Sequence, residues 1–229
     1  MATAELQPSK LGRKDHWDNI YSKELQNFEE IGDEGEVWFG EDSVEKMVSW
    51  ALDNVPPSSR KSLLEVGSGN GTLLFAMCEA GYSPEYMLGI DYSADAVKLA
   101  RAIAPTRGAE NLAFEECDFL HGDVPSLGGE AEGWDLIMDK GTYDAIALGE
   151  KDEHGRSPAA GYPRRLANLL RPDGFFLITS CNFTEDELRS SFETAATGLK
   201  YHSRVQHRSF TFGGQSGQTI STVAFYKPA

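Results

Sequence analysis

Apolar residues recur at spacings of three and four between residues 14 and 28, at Trp17, Ile20, Tyr21, Leu25 and Phe28. That period predicts an amphipathic helix laid on a larger body. A second helix is expected to open at the capping-box sequence Asp42-Ser43-Val44-Glu45 and to end near Asn54, before Val55-Pro56-Pro57. Beyond Arg60 the pattern changes. Short apolar runs at residues 62–66, 86–90, 112–115, 134–139 and 174–180 read as strands, and most precede a helical pattern, as 72–80 follows the first. Such alternation predicts a parallel α/β sheet. Two further strand-like runs, 201–210 and 219–226, are joined by the glycine-bearing turn Gly213-Gly214-Gln215-Ser216-Gly217, which predicts an antiparallel pair closing the sheet. Residues 122–133 and 149–158 read as polar loops, Thr184-Glu185-Asp186-Glu187 as another capping box, and nothing in the chain suggests a repeat or an interdomain linker.

Charge narrows the partners. The 229 residues carry 36 Asp and Glu against 21 Lys and Arg, a formal charge of −15, which repels phosphate backbones and anionic lipid. Nucleic acid and membrane surfaces are therefore not expected partners; a basic protein or a cationic small ligand suits better. The acids are unevenly placed. Nine carboxylates and no Lys or Arg lie from Glu24 to Glu45, around the apolar island Val37-Trp38-Phe39, whereas residues 194–229 hold four Lys or Arg and no acid. Cys78, Cys117 and Cys181 are far apart, odd in number and set in apolar segments, so they are expected to be reduced and buried rather than disulfide-bonded or metal-bound. His16, His121, His154, His202 and His207 lack metal-ligand spacing. No apolar run approaches the ~20 residues of a membrane helix, and the first twelve residues lack a secretory apolar core. A cytoplasmic monomer, with access to the nucleus, is the resulting expectation.

The first strand carries the most specific chemistry. Leu63-Leu64-Glu65-Val66-Gly67-Ser68-Gly69-Asn70-Gly71 runs from strand to glycine-rich turn to helix, the context in which such a turn cradles a nucleotide. A dinucleotide fingerprint would place a third glycine where this chain has Thr72. Glu65 would also repel a pyrophosphate, yet it suits a ligand bearing an ammonium and a sulfonium. S-adenosyl-L-methionine, leaving as S-adenosyl-L-homocysteine, has that charge. Asp91 closes the second strand about twenty residues beyond the turn, where an acid can accept from both ribose hydroxyls. Asp118, after the third strand, can accept from the adenine amino group while Phe119 packs on the ring. Gly67, Ser68, Gly69, Asn70 and Tyr92 complete the expected contacts. Each acid alone also reads as a helix N-cap; three at successive strand ends favour the ligand-binding edge of an open sheet.

Residues 61–181 resemble the class I, seven-stranded S-adenosylmethionine-dependent methyltransferases. At finer grain, Leu11-Gly12, His16-Trp17-Asp18, Gly35-Glu36-Val37-Trp38-Phe39-Gly40, Asp139-Lys140-Gly141-Thr142-Tyr143-Asp144-Ala145, Ile178-Thr179-Ser180-Cys181-Asn182 and Phe210-Thr211-Phe212-Gly213-Gly214 resemble the eukaryotic elongation factor 1-alpha lysine methyltransferase family. The resemblance implies an α/β, Rossmann-like sheet, mostly parallel with a C-terminal antiparallel hairpin and helices on both faces. Residues 1–57 would form an N-terminal extension covering the cofactor site, and 58–229 the methyltransferase domain. It also implies transfer of methyl groups to a lysine of elongation factor 1-alpha. On this reading Asp139 and Trp38 contact the cofactor, Asp139 orients the amine, and Tyr143 and Trp38 wall the lysine channel. Asp139 also reads as a cap of the helix after Thr142, and Trp38 with Phe39 as an apolar lid. A small-molecule methyltransferase and a non-catalytic S-adenosylmethionine-binding scaffold remain the alternatives.

Overall fold

The computed structural model describes residues 6–127, 133–207, 210–212, 215–217 and 220–229. The first apolar stripe forms helix α1, Lys14–Ile31, which buries Tyr21 and packs Trp17, Leu25 and Phe28 on the core. It stops at Gly32, a left-handed residue whose N–H donates to Phe28 O. Helix α2, Gly40–Asn54, starts earlier than the sequence predicts. Phe39 turns the chain in the left-handed region, and Ser43 Oγ donates to Phe39 O at 2.7 Å, so the box expected at residues 42–45 is not the cap. Asp42 instead lies in the first turn and pairs with Lys46 at 2.6 Å.

The alternating segment follows as β1 (Leu63–Val66), α3 (Thr72–Glu79), β2 (Met87–Asp91), α4 (Ala94–Ile103), β3 (Ala113–Glu116), β4 (Trp134–Lys140), α5 (Thr142–Ala147), α6 (Tyr162–Leu169), β5 (Leu170–Ser180) and α7 (Glu185–Phe192). Thr184 caps α7 with the reciprocal Glu187 bonds of the expected capping box. After α7 come β6 (Lys200–Val205), β7 (Phe210–Phe212), β8 (Gln215–Gly217) and β9 (Ser221–Tyr226). Seven strands form one sheet in the order β3-β2-β1-β4-β5-β9-β6, parallel through β5, with β9 antiparallel to both β5 and β6. The terminal pair thus closes the sheet. The connection of this antiparallel pair is longer than a turn: β6 stops at Val205, and β7 and β8 form a separate two-stranded ladder between β6 and β9. Gly213, Gly214 and Thr219, and residues 128–132 of the expected loop, lie outside the described residues.

Strand alternation divides the core. Leu63, Met87, Leu136 and Met138 pack with α1 to α4, whereas Leu64, Val66, Ile90 and Ile137 pack beneath α5 to α7. Strand order reverses at β1, which opens a crevice beyond the ends of β1, β2 and β4. Cys117 is buried as expected and Cys78 half-buried, but Cys181 is exposed, because β5 ends at Ser180 and the chain bends away. Among the described residues no helix is long and apolar enough to cross a membrane, and no cluster of metal-ligating side chains occurs.

Candidate active site

The turn after β1 is pinned to the end of β2, since Gly67 N–H and Ser68 N–H both donate to Ile90 O, at 2.7 and 2.9 Å. Gly67 and Gly69 have φ of 68° and 53°, in the left-handed region. A Cβ on Gly67 would run into Thr142 Oγ1, and one on Gly69 would stand 2.5 Å from the Tyr21 hydroxyl. Glycine is what lets the turn pass between α1 and α5.

Above the turn lies a cleft of about 290 Å³. It brings together most of the residues marked from sequence: Gly67 to Asn70, Asp91 with Tyr92, Asp118 with Phe119, and Trp38. Asp91 Oδ2 accepts Gly69 N–H at 3.0 Å and Oδ1 accepts Ser93 N–H at 2.9 Å, which leaves each oxygen room for another donor. Burial pushes its pKa up to about 6. Asp118, half-exposed, accepts from Leu120 N–H and pairs with His121 Nδ1, each at 2.9 Å. Glu65 lies buried on β1, and desolvation raises its pKa well above the carboxylate range, against the pull of the Lys140 charge.

Three buried polar atoms here have no partner: Glu65 Oε2, Ser68 Oγ and Trp38 Nε1. An unpartnered carboxylate beside a Cβ-free turn fits S-adenosyl-L-methionine, whose amino-acid end carries an ammonium, and misfits a pyrophosphate.

Residues N-terminal to the sheet form the roof, including Leu11, Gly12, Trp17, Tyr21 and Phe39. Trp17 meets Trp38 edge-on at 4.8 Å between ring centroids. Asn70 Nδ2 donates to Glu34 O at 3.0 Å, and Arg107 pairs with Glu34 at 2.6 Å. Both bonds hold the segment between α1 and α2 over the turn. In the sequence Trp17 belongs to the helix stripe and to the His16-Trp17-Asp18 motif, and Tyr21 to the stripe alone; the Gly69 approach that makes Tyr21 a cleft residue is a long-range packing fact with no local signal.

Asp139 and Tyr143 are placed differently from expectation. Alternation along β4 turns Asp139 away from the Glu65 face and toward α5 to α7. There it is fully buried, accepting Thr142 N–H at 2.8 Å on Oδ1, and Tyr143 N–H at 2.9 Å and the Tyr162 hydroxyl at 2.5 Å on Oδ2. It is the helix cap of the alternative reading, and it does not line the cleft. Burial carries its pKa to about 7, opposed by the Tyr162 hydroxyl. Tyr143 lines a neighbouring cavity of about 340 Å³ with Ala147, Phe183 and Ser191. The acid of this segment that reaches the cleft is Asp144, held by Ser180 Oγ at 2.5 Å and Cys181 N–H at 2.8 Å.

Sheet order, glycine turn and strand-end acids together define a seven-stranded, S-adenosylmethionine-dependent methyltransferase. A family model described as a methyltransferase domain matches residues 57–222. The chain is 40% identical to the protein-lysine N-methyltransferase efm4 of Schizosaccharomyces pombe, covering 96% of this chain and 95% of that one. It is 37% identical to human EEF1A lysine methyltransferase 2, covering 96% and 88%. The chain belongs to this family of protein-lysine N-methyltransferases. A solved structure of the N-methyltransferase NodS from Bradyrhizobium japonicum with S-adenosyl-L-homocysteine superposes with a TM-score of 0.59 at 16% identity, covering 93% of this chain and 99% of that one, a likeness of fold.

Three of the four buried acids with raised pKa values, Asp91, Glu65 and Asp139, give a signed expectation. The unfolded chain ionises Asp91, Glu65 and Asp139 near pH 4, while the folded chain resists until about pH 6 for Asp91 and higher for the other two. Stability contributed by these groups is therefore present below pH 4 and lost as pH climbs through the folded values. Asp135 does not offset this, because its lowered pKa, where burial is outweighed by Ser62 and Lys61, keeps it ionised throughout. His207, lowered by burial, works oppositely below pH 6.5. Thermal melts of the ligand-free protein should show Tm falling between pH 6.5 and 8; a steady rise would mean that these acids ionise normally.

Proposed function

We infer that this enzyme transfers methyl groups from S-adenosyl-L-methionine to a lysine side-chain nitrogen of translation elongation factor 1-alpha, the substrate named for its human relative. The observation that carries the chemistry is the cleft itself, where a roof of aromatic side chains faces the glycine turn, and the strand leading into that turn holds the unpartnered buried acid Glu65. When bound, the cofactor supplies an electrophilic methyl group on a sulfonium. Asp91 would hold the ribose hydroxyls, Asp118 the adenine amino group, and Phe119 the ring face.

The acceptor must lose a proton before it can attack, and a free lysine, pKa ~10.4, gives up on the order of 4.6 kcal/mol to be neutral at pH 7. Trp17, Trp38 and Phe39 would exclude water from the lysine, which disfavours its ammonium form. Asp144, on the cleft wall, would orient the amine by accepting its hydrogen bond. Asp139 would act one step behind, holding the first turn of α5 through Thr142 and Tyr143, and Tyr143 would wall the cleft from its neighbouring cavity.

Intact-mass measurement of purified elongation factor 1-alpha, after incubation with the enzyme and S-adenosyl-L-methionine, tests this function. Gain in steps of one methyl is expected. No gain in the factor, with label entering small molecules of a cell extract, would instead mark a small-molecule enzyme. Exposed Glu29, Glu30, Asp33, Glu41 and Glu45 present the acidic stretch on the roof side of the molecule, a complement to a basic protein surface. Methylation of the intact factor should accordingly slow several-fold between about 50 and 300 mM salt; a salt-independent rate removes the steering. The protein would meet its substrate as a monomer in the cytoplasm, without nucleic acid or membrane.

A further inference from the structure

The cavity beside the cleft, about 340 Å³, is bounded by Tyr143, Ala147, Phe183, Ala159 and Ala160. Cavity and cleft share their walls. Tyr143 and Ala147 of α5, four residues apart, face the cavity, while Asp144 and the cap residue Leu148, also four apart, face the cleft. After β5, Asn182 faces the cleft and Phe183 the cavity; before α6, Pro158 faces the cleft and Ala159 the cavity. The two openings therefore flank one helix, on the side of the cleft where Asp144 stands.

A protein-lysine N-methyltransferase receives its lysine as part of a chain, so the residues flanking that lysine must lie on the surface around the cleft. With its side chains, a helix such as α5 is about 10–12 Å across, the length of about three residues of extended chain at ~3.3 Å each. A substrate whose lysine reaches Asp144 thus carries a neighbouring residue over the cavity.

The lining fixes what kind of residue that is. Its polar side chains are committed: Ser157 Oγ accepts Ala159 N–H at 3.2 Å, Ser191 Oγ donates to Glu187 O at 3.0 Å, the Tyr143 hydroxyl bonds with Ser191, and Lys151 too has a partner. The Tyr143 and Phe183 rings meet at 5.0 Å between centroids, and Phe183 is only half-buried. Aromatic surface is left in water with no uncommitted polar side chain beside it, which favours an apolar occupant over a polar one.

We propose that this cavity is a specificity pocket for the protein substrate, taking an apolar side chain that lies within about three residues of the methylated lysine. Tyr143 and Phe183 form its aromatic wall, and Ala160, exposed, stands at its rim.

This assignment rests on the proposed function and is tested on the intact factor, once mass spectrometry of the methylated product has located the reacting lysine. Ala160→Trp fills the pocket from its rim. It should raise KM for the factor about tenfold or more, the scale of one buried apolar side chain, while kcat and S-adenosyl-L-homocysteine affinity stay within about twofold. Alanine replacement of each residue within about three positions of the lysine should reveal one apolar position with a similar rise in KM. Combining that replacement with Ala160→Trp should cost little more than either alone, as for two partners in one contact. A KM within about twofold in Ala160→Trp, no flanking position that matters, or fully additive losses each overturn the pocket. Among those failures, a lower Tm in Ala160→Trp would assign the cavity to the packing of this chain itself, and a changed elution volume in gel filtration to a second copy. If the unmodified protein binds S-adenosyl-L-homocysteine but methylates no lysine of the factor, the proposed function fails instead.

Discussion

Asp91→Ala should bind S-adenosyl-L-homocysteine two to three orders of magnitude more weakly than the unmodified protein, with its circular dichroism spectrum unchanged. Two losses combine. The carboxylate would no longer accept from the ribose hydroxyls, at roughly 1.5–3 kcal/mol for a hydrogen bond to a charged group. Gly69 N–H would also lose its acceptor, so the turn that forms the cleft floor would be less ordered before binding. Asp91→Asn separates the two losses. Its amide oxygen can still accept from one backbone donor, so it should restore turn order in part and recover a fraction of the affinity. If Asp91→Ala bound within threefold of the unmodified protein, the ribose would have to be held elsewhere.

Asp139→Ala should lower stability by about 3–5 kcal/mol, a fall in Tm of roughly 10 °C, and reduce turnover as a consequence. Removal of this carboxylate strands the buried Tyr162 hydroxyl and the Thr142 and Tyr143 N–H groups at the start of α5. Tyr162→Phe removes one of those contacts and should show a smaller loss of the same kind. In Asp144→Asn the ordering reverses: kcat falls about a hundredfold, while Tm and cofactor affinity change little, because an amide keeps the Ser180 contact and loses the charge presented to the amine. Measured together, kcat and Tm across these three variants and Asp139→Asn decide which acid meets the substrate. Were Asp139→Asn to lose kcat a hundredfold at unchanged Tm, with Asp144→Asn nearly normal, the direct role would return to Asp139.

Local patterns carried the sheet because they recur locally. Short apolar runs located all five parallel strands to within a few residues, and the Thr184 to Glu187 box located the start of α7. The class of ligand was legible for a similar reason: Glu65, the glycine turn, Asp91 and Asp118 are each adjacent to a strand end, and a parallel sheet collects strand ends at one edge. What escaped depended on face and on distance. Asp139 and Lys140 are neighbours in sequence, yet the pleat sends one beneath α5 and the other toward the cleft, a parity fixed by the pairing of Val66 with Asp139 and of Glu65 with Met138. Tyr21 reaches Gly69 across about a fifth of the chain, and no spacing rule records that approach. The early start of α2 turned on Phe39 adopting a left-handed conformation, a choice that its side chain does not advertise.

Two of the chain's four tryptophans, Trp17 and Trp38, touch each other in the roof of the cleft, while Trp50 and Trp134 are buried in the two halves of the core. The protein therefore carries an intrinsic optical reporter of its own occupancy. An adenine-bearing ligand entering beneath the roof would alter the emission of one pair and leave the other as an internal reference, so cofactor arrival and product departure can be followed in real time on unlabelled enzyme.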